Sequence, residues 1–169
     1  MNQTVLITGA GSGFGLGASL ELARRGYDVI ATTQILAQIT GVKAAAEAAG
    51  VELRVEKLDV QDSADRKRAE NWDVNVLVNN AGIGESGPLA EISVDLVRAS
   101  FETNVFGALE LIQGVLRGML KKGGGKIVNI SSIAGVETPL MHRAAYCASK
   151  AGLVGFAREC AREFAQYGI

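Results

Sequence analysis

Five short apolar runs punctuate the chain, and a longer segment of helical character follows each of them. The runs are Thr4–Thr8 (TVLIT), Val29–Thr33 (VIATT), Val51–Leu58, Val74–Val78 (VNVLV) and Lys126–Ile130 (KIVNI). Four of the five are near-continuously apolar, the pattern of parallel strands covered on both faces. The helical segments are Phe14–Arg25, Ile35–Ala49, a short polar stretch at Ser63–Glu70, a long one from Val94 to Lys121, and a last one from Ala144 to about Tyr167. Such alternation predicts an α/β fold, a doubly wound parallel sheet between two layers of helices. Gly123-Gly124-Gly125 after Lys121-Lys122 reads as a helix stop. No internal repeat, low-complexity tract or linker interrupts the chain, so residues 1–169 are expected to form one domain.

Composition removes several function classes. Seventeen Lys and Arg against eighteen Asp and Glu leave a net charge of −1, with no basic stripe, so nucleic acid is not an expected partner. No apolar run reaches the ~18 residues of a membrane span, and MNQTVLIT reads as a first strand instead of a signal peptide. Cys147 and Cys160 fall on one predicted helix, ~20 Å apart, too far to bridge. Reduced thiols in a cytoplasmic protein are the expectation. No metal-ligand spacing occurs. The 21 Gly against 2 Pro demand a backbone that turns tightly or approaches something closely at several points.

Much of that glycine sits in one place. After the first strand comes Gly9-Ala10-Gly11-Ser12-Gly13-Phe14-Gly15, followed at once by an apolar helix. Glycines let a backbone approach a pyrophosphate, and the helix start offers N–H groups at a positive dipole end. The strand–turn–helix context raises the pattern above an ordinary tight loop without ligand. The spacing TGxxxGxG (Thr8, Gly9, Gly13, Gly15) resembles the cofactor loop of the classical short-chain dehydrogenase/reductase family, in its bacterial form. Further segments match in family order: Asp59-Val60, Asn79-Asn80-Ala81-Gly82, Asn104, Ser131-Ser132, and Tyr146-Cys-Ala-Ser-Lys150. The resemblance implies a Rossmann-type sheet and an oxidoreductase that moves hydride between a nicotinamide dinucleotide and an alcohol or carbonyl compound. It implies cofactor contacts from Thr8, Gly9, Gly11, Ser12, Gly13, Phe14, Gly15, Thr33, Asp59, Val60, Asn80, Ala81, Gly82, Tyr146 and Lys150.

Tyr146 and Lys150 stand four apart on a helix and share a face. A phenol near pKa 10 is a poor base at neutral pH, and a nearby ammonium favours the phenolate. Tyr146 is then the acid/base, and the resemblance adds a Lys150 bond to the nicotinamide ribose. Ser132 is expected to stabilise the substrate oxygen, since the family uses the second serine of such a pair. The Ser132–Tyr146 gap is one residue longer than the family pattern, with the extra residue placed in the Glu137–Arg143 loop. A different register would make Ser131 the candidate or distort the site. Asn104 is uncomfortable in mid-helix. Its family counterpart kinks the helix and holds a water in a proton relay toward the lysine. Asp59 is expected to cap the adenine beside the Val60 backbone, and Asn80-Ala81-Gly82 to line the adenosine side; for Asp59 an ordinary strand-end turn is the alternative.

The second strand ends Ala31-Thr32-Thr33-Gln34, without the carboxylate that NAD specificity usually requires. Thr32, Thr33 and Gln34 could instead donate to a 2′-phosphate, so NADP(H) is expected over NAD(H). His142 is expected on a loop surface, and Leu140 and Met141 as a pocket wall. Small residues along the last helix (Ala148, Ala151, Gly152, Gly155, Ala157, Ala161) suit close packing, either on the chain's own sheet or, as the resemblance implies, in a homodimer or homotetramer. A complete Rossmann sheet has six strands, and five are found. The expectation is a last strand and substrate lid missing at the C-terminal end, with a dinucleotide-binding protein without turnover as the alternative to an enzyme.

Overall fold

The computed structural model describes residues 3–137 and 141–169. Its five strands are β1 (Thr4–Ile7), β2 (Asp28–Thr33), β3 (Arg54–Lys57), β4 (Val76–Asn79) and β5 (Lys126–Asn129). They form one parallel sheet in the order β3-β2-β1-β4-β5, the Rossmann order for its first five strands. Six helices alternate with them: α1 (Gly13–Arg24), α2 (Ala37–Ala48), α3 (Ser63–Ala69), α4 (Val94–Phe101), α5 (Gly107–Lys122) and α6 (Ala144–Phe164). Among the described residues no helix is long and apolar enough to cross a membrane.

The unbroken apolar runs follow from two cores, one on each side of the sheet. Leu6, Ile30 and Leu77 point into one, packed with Leu111, Ile112, Val115 and Met119 of α5. Val5, Ile7, Val29 and Ala31 point into the other, against Leu16 and Leu22 of α1 and Val42 of α2. Successive side chains of a strand face opposite ways, so a strand sandwiched between helix layers has no solvent face on which to place a polar residue.

Two expected elements come out differently. The third strand is half the expected length, because Val51 is spent leaving α2: its amide bonds the Ala46 carbonyl at 3.0 Å, and pairing with β2 begins at Arg54 opposite Ile30. The long helix from Val94 is two helices joined by a π-helical segment, Glu102–Phe106, with Asn104 at its centre. The glycine stop behaves as expected, Gly123 ending α5 in the left-handed region at φ 74°.

A charged cluster holds the turn from β3 into α3. Asp62 caps α3 by accepting from the amides of Ala64 and Asp65. Asp65, 2% exposed, accepts from the Asp59 amide at 2.8 Å and pairs with Lys57 and Arg68 at 2.5 and 2.6 Å. Burial alone would raise its carboxyl pKa, but Lys57, the Asp59 amide and Arg68 outweigh that and hold it below the ordinary carboxylate value. A depressed folded-state pKa stabilises the fold above the unfolded value near 3.9 and loses that contribution as pH falls through the folded value. Asp65→Asn is therefore expected to cost about 2 kcal/mol at pH 7. As pH falls through the depressed folded-state pKa the gap to the parent should close. Urea melts at pH 7 and over an acid series check this, and equal stability at pH 7 would contradict it.

Candidate functional site

The chain leaves β1 through a turn that admits no side chain at two points. Gly9 has φ +67°, and a Cβ there would sit 2.8 Å from the Ala81 Cα. A Cβ on Gly15 would lie 2.5 Å from both the Asn80 Nδ2 and the Gly9 carbonyl oxygen. The segment after β4 locks this turn from beside it. The amides of Asn80 and Ala81 both donate to Thr8 Oγ1 at 3.0 Å, while Asn80 Nδ2 donates to the carbonyls of Thr8 and Gly9 at 2.9 and 3.1 Å. Ser12 precedes α1 without a side-chain cap on its amides. The helix start is thus an anion-binding end of the kind phosphates occupy.

A cleft of about 190 Å³ opens at this turn, lined by Gly9, Gly11, Ser12, Asp59, Val60 and the segment from Asn80 to Ile83. Gln34, Gln38, Leu58 and Thr103 complete it. The Gln38 side chain lies against Gly11, 3.0 Å from where a Cβ would be; the sequence carries no signal for this contact, since Gln38 looks like any surface residue in the first turn of a helix. Thr32 and Thr33 do not line the cleft. Both are fully buried, with their hydroxyls donated to the Ile7 and Ile35 carbonyls. The expected contact from Thr33 is corrected accordingly, and Gln34 is the residue of that trio at the cleft. Thr8, Gly13 and Gly15 shape the turn without lining the cavity, and Phe14, 89% exposed, faces the neighbouring one.

That second cleft, about 510 Å³, shares Asn80, Gly82 and Ile83 with the first and is lined by Ser131, Ser132, Tyr146 and Lys150. The two therefore form one groove along the carboxyl ends of the strands. Lys150 is buried and donates from Nζ to the Ile130 carbonyl at 2.7 Å. Its Nζ lies 5.9 Å from the centre of the Tyr146 ring, and burial lowers the ammonium pKa. The Ser131 hydroxyl is engaged with the backbone, donating to the Lys150 carbonyl at 2.9 Å. Ser132 Oγ accepts from the Ala134 amide at 3.2 Å and keeps its own hydrogen for donation. Asn104 is 1% exposed. Its side chain accepts from the Ile83 amide at 2.8 Å and donates to the Ile83 carbonyl and Ser149 Oγ, each at 2.9 Å. Gly82 packs between Asn104 and Lys150, whose Oδ1 and Nζ lie 3.1 and 3.3 Å from its missing Cβ.

Three contributors escaped sequence reasoning here: Ser149, Gly135 and Arg143. Ser149 sits inside the recognisable Tyr146–Lys150 motif. Gly135, which a Cβ would drive to 2.6 Å from the Lys150 backbone, follows the serine pair. His142 lies on the surface with φ 58° and does not line the groove. Met141 is 84% exposed, and Leu140 lies outside the described residues. Among the described residues there is no cluster of metal-ligating side chains.

A family model described as short chain dehydrogenase matches residues 3–169. The chain belongs to the short-chain dehydrogenase family. Human retinol dehydrogenase 8 is 40% identical over 99% of this chain. The 3-oxoacyl-[acyl-carrier-protein] reductase of Escherichia coli is 36% identical over the same share. The chain spans 56% of the length of the first and 69% of the second. Among solved structures, an actinorhodin polyketide ketoreductase with NADPH superimposes with TM-score 0.92 at 34% identity, covering 99% of this chain and 67% of that one. A putative gluconate 5-dehydrogenase from Beutenbergia cavernae with bound NADP gives 0.90 at 32%, covering 98% and 68%.

Proposed function

We propose that the protein is a nicotinamide-dependent oxidoreductase acting on an alcohol or carbonyl group. One observation carries the reading: the Tyr146–Lys150 pair sits in the same groove as the glycine turn, with the ammonium fixed by the Ile130 carbonyl on the ring side of Tyr146. A dinucleotide fits the residues present, because an open cleft lined by Gly9, Gly11 and Ser12 lies at the uncapped start of α1. Gly9, Gly11, Ser12 and the start of α1 would hold its pyrophosphate. Asp59 and Val60 would face the adenine, and Ala81 and Gly82 the adenosine. When bound, the nicotinamide ring supplies the hydride donor or acceptor. Tyr146 gives a proton to the carbonyl oxygen in reduction and takes it back in oxidation. Lys150 stabilises negative charge developing on the phenol oxygen, and Ser132 donates to the substrate oxygen. Asn104 fixes the Ile83 backbone that floors the groove.

The cofactor we assign is NADP(H) over NAD(H). No carboxylate ends β2 to repel a 2′-phosphate, and the amides of Gln34 and Gln38 stand at the cleft instead. NADPH is expected to bind at least about tenfold tighter than NADH, the worth of a hydrogen bond to a charged group. A fluorescence titration with both nucleotides checks this; equal or tighter NADH binding overturns it. The proposal extends to a cytoplasmic homodimer or homotetramer. Ala148, Ala151, Gly152 and Gly155 are exposed along one face of α6, and Cβ atoms on Gly152 and Gly155 would touch nothing. That face is not used for packing within the chain. Consumption of NADPH with ketones and aldehydes tests the activity, and nucleotide binding without any turnover favours a binding protein instead.

A further inference from the structure

The approach to α6 places a second cation in the catalytic cleft. Arg143 stands at the N-terminal boundary of α6, and its side chain makes no capping bond there. The guanidinium reaches over Gly84 instead: a Cβ on Gly84 would lie 3.1 Å from Arg143 Nη1 and 3.5 Å from Tyr146 Cδ2. Cation and phenol ring thus flank the same point of the cleft wall. The lining contains Lys150 and Arg143 and no carboxylate. Lys150 is already bound to the Ile130 carbonyl. Among the described residues Arg143 has no Asp or Glu within 4.0 Å, as is also true of Arg117, Arg158 and Arg162, but of these four only Arg143 lines the groove.

A half-buried guanidinium with no anion beside it is a ready receptor for one. Its planar fork matches a carboxylate through two parallel N–H···O bonds. A single guanidinium suits a monoanion, whereas phosphate sites usually add backbone amides at a helix start, and the glycine turn at the other end of the groove already offers those. We propose that the substrate carries a carboxylate near its reacting carbonyl or hydroxyl group and that Arg143 binds it. The inference rests on the oxidoreductase reading and narrows its substrate to oxo or hydroxy acids.

The test compares oxo acids of increasing chain length with their methyl esters, in the intact protein with NADPH. The parent should prefer the best acid over its ester by about 10- to 100-fold in kcat/KM. Arg143→Gln should bring that ratio near one, and Arg143→Lys should restore part of it. Melting curves establish that the variants fold, and NADPH affinity should be the same in all three. Calorimetric titration of the NADPH complex with benzoate gives a readout independent of turnover, with binding expected in the parent and lost in Arg143→Gln. The proposal is overturned if acid and ester react equally in the parent. It also falls if the preference survives in Arg143→Gln, or if NADPH affinity drops with that substitution, which would make a cofactor phosphate the anion. Benzoate binding that depends on Arg143 without turnover of any carbonyl compound would retain the anion site and remove the oxidoreductase reading. Absence of both would remove both.

Discussion

Tyr146→Phe is expected to lower kcat by about 10³-fold, the middle of the range for losing a positioned acid/base, while NADPH affinity changes little. The substitution removes one oxygen and leaves the ring in place over the Lys150 ammonium, 5.9 Å from its centre. It leaves the Ile130 bond that fixes Lys150 and, being a side-chain change, the Tyr146 carbonyl that accepts from Ser149. The proton donor is therefore deleted with the lysine still in place. Steady-state kinetics beside a nucleotide titration separate the two effects. Undiminished turnover would show that another group moves the proton.

Asn104→Ala is expected to cost about 3 kcal/mol, which for a chain of this size is roughly a 6–12 °C fall in melting temperature. The reason is the concentration of partners on one buried amide. Both polar groups of Ile83 and the Ser149 hydroxyl depend on it. None can turn to water without opening the contact between the π-helical segment and the strand end after β4. Asn104→Asp should not rescue, because it supplies acceptors where two of the three bonds need a donor. A calorimetric melt decides the point: a fall below about 2 °C would mean that the segment is held by other contacts.

The sheet was legible because burial on both faces forces apolar residues at every position of a central strand, and Val5, Leu6 and Ile7 display this directly. Edge and interrupted elements were not legible in the same way. Val51-Glu52-Leu53 alternates as a half-buried strand would, but where pairing begins is set by where α2 ends. The π-helical segment has no sequence period of its own. Asn104 marked an irregularity there, while the hydrogen bonds that stabilise it come from a residue 21 positions away. The glycine turn was readable because positive φ and close approach leave few alternatives to glycine. Thr33 was misplaced because a hydroxyl at a strand end can face either the cleft or its own backbone, and composition does not choose between them. Gln38 and Arg143 were invisible as site residues for a related reason, since long side chains reach the groove from positions that read as ordinary surface.

Gly135 and Ser131 tie the strand end after β5 to the backbone of Lys150, and Arg143 begins the helix that carries Tyr146. The serine end of the groove and the helix that carries Tyr146 are therefore joined directly, backbone to side chain, across the cleft. The relative positions of Ser132 and Tyr146 are set by that contact and not by the number of residues that separate them in the sequence.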